Sequence, residues 1–211
     1  MTSQVPQSWQ LIATWLAEHA PLTASEMRPP ASPAAIEAVQ RQLPVRLPAD
    51  LVAWWESCDG FTDGAVYALL PEIHVPLCTA RVIEARQSQL DLEAKFGSPT
   101  AMTGQAGEFS RAFQDAFVPI AEDHCGQLLF VDLRPGPLHG CVSEWDHEQA
   151  FLALPIWDSV AAMLTDVAVA LQSGTPACLD FARRQRAAGS TADPSAVPIV
   201  TPDGELEWSC S

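Results

Sequence analysis

An α+β domain is the fold class the sequence predicts, and three observations predict it. Apolar residues at helical spacing fill much of residues 9–60, short strands parted by turn residues occupy 116–148, and a further amphipathic helix follows at 157–171. The chain has 211 residues, 48% hydrophobic and 18% charged, with seven Trp and eight Phe, which is ample apolar surface to offset the entropy of folding one core. One domain over 1–175 with a C-terminal extension over 176–211 is the expected organisation.

Trp9, Ile12 and Leu16, flanked by Leu11 and Trp15, give an opening helix that ends before Pro21. Arg28, Pro29, Pro30 and Ala31 form an extended linker. Ser32 and Pro33 then supply an N-cap and a first-turn proline for a helix carrying Ile36, Val39 and Leu43. A third helix starts near Leu47 and Pro48, places Leu51, Trp54, Trp55 and Cys58 on one face, and stops at Asp59 and Gly60, where glycine takes a left-handed terminus. Residues 65–70 and 72–76 read as two short strands and 79–96 as a helix, followed by a Gly/Ser/Thr-rich stretch at 97–107 that reads as a mobile loop. Strands at 117–120, 127–133 and 140–145, with turns at 123–126 and 134–137, make an antiparallel meander. The last amphipathic helix repeats Val160, Met163, Leu164, Val167 and Leu171, closes at Gly174 and Pro176, and is expected to pack across the sheet. In the extension, Arg183 to Arg186 read as the polar end of a tail helix or a solvated turn, and 197–200 with 206–208 read as a hairpin around Pro202, Asp203 and Gly204.

Acidic residues outnumber basic ones 26 to 11, a formal charge of -15, so the folded surface repels phosphate backbones and anionic lipid and attracts basic partners. Nucleic-acid and membrane binding are therefore not expected. The six cysteines are dispersed without a CxxC pair, and the N-terminus lacks a basic start leading into an apolar run; reduced thiols and a cytoplasmic location follow as expectations.

Residues 47–61 (LPADLVAWWESCDGF), 117–148 (FVPIAEDHCGQLLFVDLRPGPLHGCVSEWDHE) and 157–164 (WDSVAAML), with the lead-in at Pro30, Ala31, Ser32 and Ile36, together resemble the SUKH superfamily, the Smi/Knr-like group. The resemblance spans roughly residues 9 to 172. Its motif positions fall on Leu47, Pro48, Asp59, Gly60, Pro119, Ile120, Gly126, Asp132, Gly140, Val142 and Trp145, while His124 and Cys125 depart from it. The resemblance implies helices packed on one side of a mostly antiparallel twisted sheet. It also implies, for most bacterial members, an immunity protein that neutralises a toxin, often a nuclease; members elsewhere are regulators or scaffolds connected to cell-wall assembly. It supplies no catalytic residue set.

Acids dominate two segments. Asp50, Glu56, Asp59, Asp63 and Glu72 have no basic neighbour over 50–76, and Glu122, Asp123, Asp132, Glu144, Asp146 and Glu148 face only Arg134. Asp59, Asp63, Glu72, Asp123, Asp132, Glu144 and Asp146 are the candidate partner-binding residues, because one negative face steers a basic protein and mimics phosphate charge. The plainer reading makes them solvated turn carboxylates, with Asp59 and Asp123 in turns and Asp132 bonded locally. His124, Cys125, His139 and Cys141 hold two His and two Cys near strand ends, but their spacing matches no structural zinc motif, so no metal and no cofactor is expected. GxSxG, HExxH, Walker and GxGxxG signatures are absent, and a non-enzymatic binding protein is expected. Trp54 and Trp55, with Trp9 and Trp15, read as core before they read as a recognition hot spot.

Overall fold

Proline sets the first turns of three helices. Pro6, Pro21 and Pro33 each sit where the missing N–H has no intrahelical acceptor to lose. The computed structural model describes residues 4–96, 98, 100–123, 125–146, 151–152, 155–191 and 193–210. Helix α1 (Val5–His19) ends before Pro21, as its period predicts, and Pro21 then starts a short α2 (Pro21–Ser25) that the sequence reading missed. In α3 (Pro33–Gln40) the Ser32 hydroxyl caps Ala35 N, and α4 (Ala49–Trp55) buries Leu51, Trp54 and Trp55. Asp50 Oδ2 reaches across the chain to accept from Ala161 N (3.0 Å), at the start of α6 (Val160–Ser173), whose own cap is Ser159.

Five antiparallel strands form the main sheet in chain order: β1 (Val75–Pro76), β2 (Phe117–Glu122), β3 (Leu128–Asp132), β4 (Val142–Asp146) and β5 (Phe151–Leu152). Between Pro119 and Ala121 the β2 register shifts, which suits a proline that donates no ladder hydrogen bond. Strand alternation separates two cores. Leu129, Val131 and Val142 join the large core beneath α1, α4 and α6, while Leu128, Phe130 and Trp145 join a small aromatic cluster on the other face with Phe113 and Phe117. Within that cluster the Phe113 ring meets Phe117 and Trp145 edge-on, at 5.4 and 5.7 Å between centroids. Helix α5 (Thr79–Phe96) serves both cores, with Val82 in the large one and Leu90 against the aromatic one.

The architecture is the α+β fold predicted, and the meander at 117–145 falls where the turns put it. Residues 65–70 are not a strand. The Glu26 carboxylate takes the amides of Val66 (3.2 Å) and Tyr67 (3.1 Å), so donors that a ladder would need are already used. Only an isolated bridge, Leu70 to His74, closes the turn that follows. In that turn Glu72 (φ 60) and Ile73 (φ 65) are both left-handed, a pairing that hairpins usually give to Asn-Gly. Ile73 is 47% exposed, so relief of backbone strain outweighs lost packing, and Ile73→Asn is expected to raise stability by about 1 kcal/mol in urea titrations. The stretch expected to be mobile is tied down where it is described, since Asp115 N donates to Thr100 O and Thr103 N to Gln114 Oε1. Gly97 and Pro99 lie outside the described residues.

Beyond residue 175, α7 (Leu179–Ala187) carries Arg183 to Arg186, and β6 (Ala196–Val200) pairs with β7 (Leu206–Cys210) as the predicted hairpin. This extension is packed, not appended. Ala177, Cys178, Phe181, Ala196, Leu206 and Trp208 belong to the large core, and Trp208 Nε1 donates to Leu69 O (3.1 Å).

Candidate functional site

Six of the seven candidate acids fall into three pairs, and Asp146 stands apart. Asp59 and Asp132 are structural. Asp59 is nearly buried and its Oδ1 accepts from Thr79 N (2.8 Å), satisfying an orphan amide at the start of α5, while Arg28 Nε stands 3.4 Å from Oδ2. Asp132 is fully enclosed. Its carboxylate takes Nε and Nη2 of buried Arg134, the Arg134 amide, and the Gly107 amide (2.9 Å). Arg134 in turn donates to Thr103 O and Glu108 O and lies 5.1 Å above the Phe117 ring. Both carboxylates are engaged within the fold, and Asp132 combines local bonds to Arg134 with one from the Gly107 amide, 25 positions away.

Asp63 and Asp123 come together beside Glu122 at a cleft of about 180 Å³, lined also by Phe61, Val66 and Arg81. Antiparallel pairing of Val75 with Glu122 brings the two acidic segments side by side. Arg81, on the first turns of α5, stands 3.6 Å from Asp63, 2.7 Å from Glu84 and 3.6 Å from Glu122. Three carboxylates thus meet one guanidinium on an exposed rim, with Asp123 lining the same cleft. Asp63 and Glu84 are the most open of them, and Asp123 Oδ1 also holds its own turn through the amides of Cys125 and Gln127. The sequence reading missed Arg81 and Glu84; helical spacing of three residues was the available signal.

Glu72 and Glu144 gather around a residue the sequence reading passed over. His74 is buried, its Nδ1 donates to the Pro71 carbonyl (3.0 Å), and its Nε2 lies 3.3 Å from Glu144 Oε1. Glu144 pairs across the ladder with Leu129, which turns it toward the large-core face. Glu72 sits at the solvent rim of the same cavity. Burial alone would lower the His74 pKa, but the Glu144 carboxylate, the Pro71 carbonyl and Glu72 together raise it above its ordinary value. The Glu72 carboxyl is raised as well, by burial and then by the charge on Glu144.

A raised histidine pKa contributes stability that is fully present below the unfolded value and is lost as pH rises through the folded one. Urea midpoints of the wild-type protein should therefore fall as pH climbs from about 6.5. Glu144→Gln should flatten that step, and a step of unchanged size in the variant would contradict the assignment.

Asp146 stands apart at the end of β4, half-buried and in register with Phe151. His124 and Glu148 lie outside the described residues. Of the rest of the His/Cys set, His139 Nδ1 bonds the Arg134 carbonyl, Cys125 is exposed, and burial pushes the Cys141 thiol up to about 12. Burial likewise lifts Cys58 to about 12, so these thiols are poor nucleophiles near neutral pH. Among the described residues no three or more His, Cys, Asp or Glu side chains are grouped to hold a metal ion, and no helix is long and apolar enough to cross a membrane.

The model of the SMI1 / KNR4 family (SUKH-1) matches residues 30–166. The chain belongs to that family. SUKH-1 membership agrees with the order of motifs from the α3 lead-in to α6, and the family's roles are toxin immunity or cell-wall-related regulation, generally without catalysis. The matched segment contains both acidic clusters, the buried Asp132–Arg134 pair and the whole five-stranded sheet. It stops short of α7 and the hairpin; Phe181 and Gln185 of α7, with Cys178 just before it, complete the wall behind His74. No curated protein matches the chain.

Proposed function

We propose that this SUKH-1 protein is an immunity-type binding protein that acts in the cytoplasm, seats a basic toxin domain on the rim around Arg81, and excludes the toxin's substrate without making or breaking a bond. The observation that carries the reading is the meeting of Asp63, Glu122 and Asp123 at one open cleft, with Glu84 paired to the Arg81 that lines it. A nuclease presents cationic groups where its phosphate substrate lies, and a clustered set of carboxylates is their electrostatic complement. The overall charge of -15 adds long-range attraction. The family offers two roles, and the acidic rim favours the toxin-binding one over a cell-wall regulator.

The test is charge reversal confined to side chains with no fold role: Asp63→Lys, Glu84→Lys and Glu122→Lys together, leaving Asp123 to hold its turn. Exposed pairs such as those of Arg81 stabilise by only ~0–1 kcal/mol each, so the triple variant should fold. Affinity capture from the native cell with mass spectrometry should identify a basic toxin domain bound by the wild type. The triple variant should associate with it at least ten-fold more slowly and with a flatter salt dependence. Undiminished association would rule out this rim, and an acidic captured partner would rule out the electrostatic argument altogether.

A further inference from the structure

Behind the turn at 71–74 lies a cavity of about 200 Å³, somewhat below the ~300 Å³ at which drug-sized pockets begin. Its walls come from both the family-matched segment and the C-terminal extension: Glu72, His74, Glu144, Trp157, Phe181 and Gln185 are the residues that give it character. Two of its buried polar atoms, His74 Nε2 and Glu144 Oε1, make no hydrogen bond although they lie 3.3 Å apart. The His74 side chain is 3% exposed, so water outside does not serve it.

The chemistry of that pair is specific. The Pro71 carbonyl can only accept, so Nδ1 carries a proton. In the neutral ring Nε2 is then a lone pair facing a carboxylate oxygen, and a donor has to come from elsewhere. When the ring is protonated it meets Glu144 as an ion pair that is close but misaligned. Glu72 faces the same space from the rim, Cys178 is a buried neutral thiol, and among the described lining residues there is no Lys or Arg. Trp157 and Phe181 add aromatic side chains to the lining, and aromatic rings attract cations. Consecutive left-handed residues at Glu72 and Ile73 hold this turn in a sparsely populated conformation, a kind of strain that concentrates at ligand sites.

We propose that this cavity binds a small organic cation, an alkylammonium or alkylguanidinium group, whose N–H donors bridge Glu144 and the neutral His74 Nε2 with Glu72 closing the rim. The site is separate from the Arg81 rim and does not depend on toxin binding. The site becomes more negative by one charge where His74 loses its own proton, so the cation and the imidazolium compete for the same carboxylates.

The experiment follows His74 ring resonances of the full chain by NMR, assigned with His74→Gln, during titration with ethylammonium and ethylguanidinium against the neutral ethanol and ethylurea. Saturable shifts with the cations alone, and a His74 pKa lowered by bound cation, are expected. Glu144→Gln should weaken cation binding at least ten-fold, and Glu72→Gln, at the exposed rim, should act in the same direction if the first variant folds poorly. A Gly-Gly-Arg-Gly-Gly peptide separates the two sources of such a group. Tighter binding of the peptide assigns the site to a partner's basic side chain, equal or weaker binding assigns it to a free small cation, and both support the site. Absence of saturable His74 shifts, or equal response to the neutral probes, overturns it.

Discussion

Asp132→Ala is expected to cost about 3–5 kcal/mol of folding free energy, because it leaves Arg134 charged and enclosed with no counter-ion. The magnitude follows from burial: side-chain exposures of 1% for Arg134 and 0% for Asp132 leave almost no route for solvent to replace the lost carboxylate. The Gly107 and Arg134 amides lose their acceptor at the same time. Because Arg134 also holds the Thr103 and Glu108 carbonyls, the damage should spread to the 103–108 loop, read as faster amide exchange there than in β3. Asp132→Ala combined with Arg134→Met should recover much of the loss, since removing both charges avoids the stranded one. Urea denaturation measures both variants, and a loss below about 1 kcal/mol for the single change would mean that solvent reaches Arg134 after all.

Asp132 also marks the limit of what the sequence tells. Its neighbours two residues away were visible, and local bonding was one of the readings, but the loop amide at Gly107 and the ring of Phe117 are distant along the chain. Asp59 is similar, since an acid before a glycine reads as a turn residue while its acceptor role is set by Thr79, twenty positions on. By contrast, the helices announced by Pro33, the Trp54–Trp55 face and the Val160 to Leu171 repeat form because period and caps agree locally. The meander was legible for the same reason.

Strand alternation decided the acids. Glu122 and Glu144 lie in strands whose neighbours were predicted correctly, yet Glu122 pairs with Leu128 and Val75 while Glu144 pairs with Leu129, one step along the ladder and so on the opposite face. A single acidic surface read from composition therefore becomes an open rim around Arg81 and a half-enclosed pair beside His74. Nothing within residues 70–76 signals that separation, because Glu-Ile is an unusual choice for a left-handed pair and the groups facing His74 come from β4 and α7.

Gly60→Ala is the second large effect, about 3 kcal/mol or more. Two costs add at this position. The backbone is left-handed at φ +64, and a Cβ would press into the Leu77 carbonyl group and stand 2.6 Å from Cys78 N. Those atoms are backbone and are fixed from several directions: Phe61 N donates to Pro76 O, Arg28 N to Gly60 O, and Asp59 Oδ1 holds Thr79 N. The end of α4, the 28–29 linker and the start of α5 therefore have no soft coordinate along which to yield. Gly64→Ala isolates the first cost, since φ there is +76 with no atom within 4 Å of the added carbon, and should lose only about 1 kcal/mol. The difference between the two urea midpoints is the cost of the backbone contact, and equal losses would leave the conformation alone as the cause.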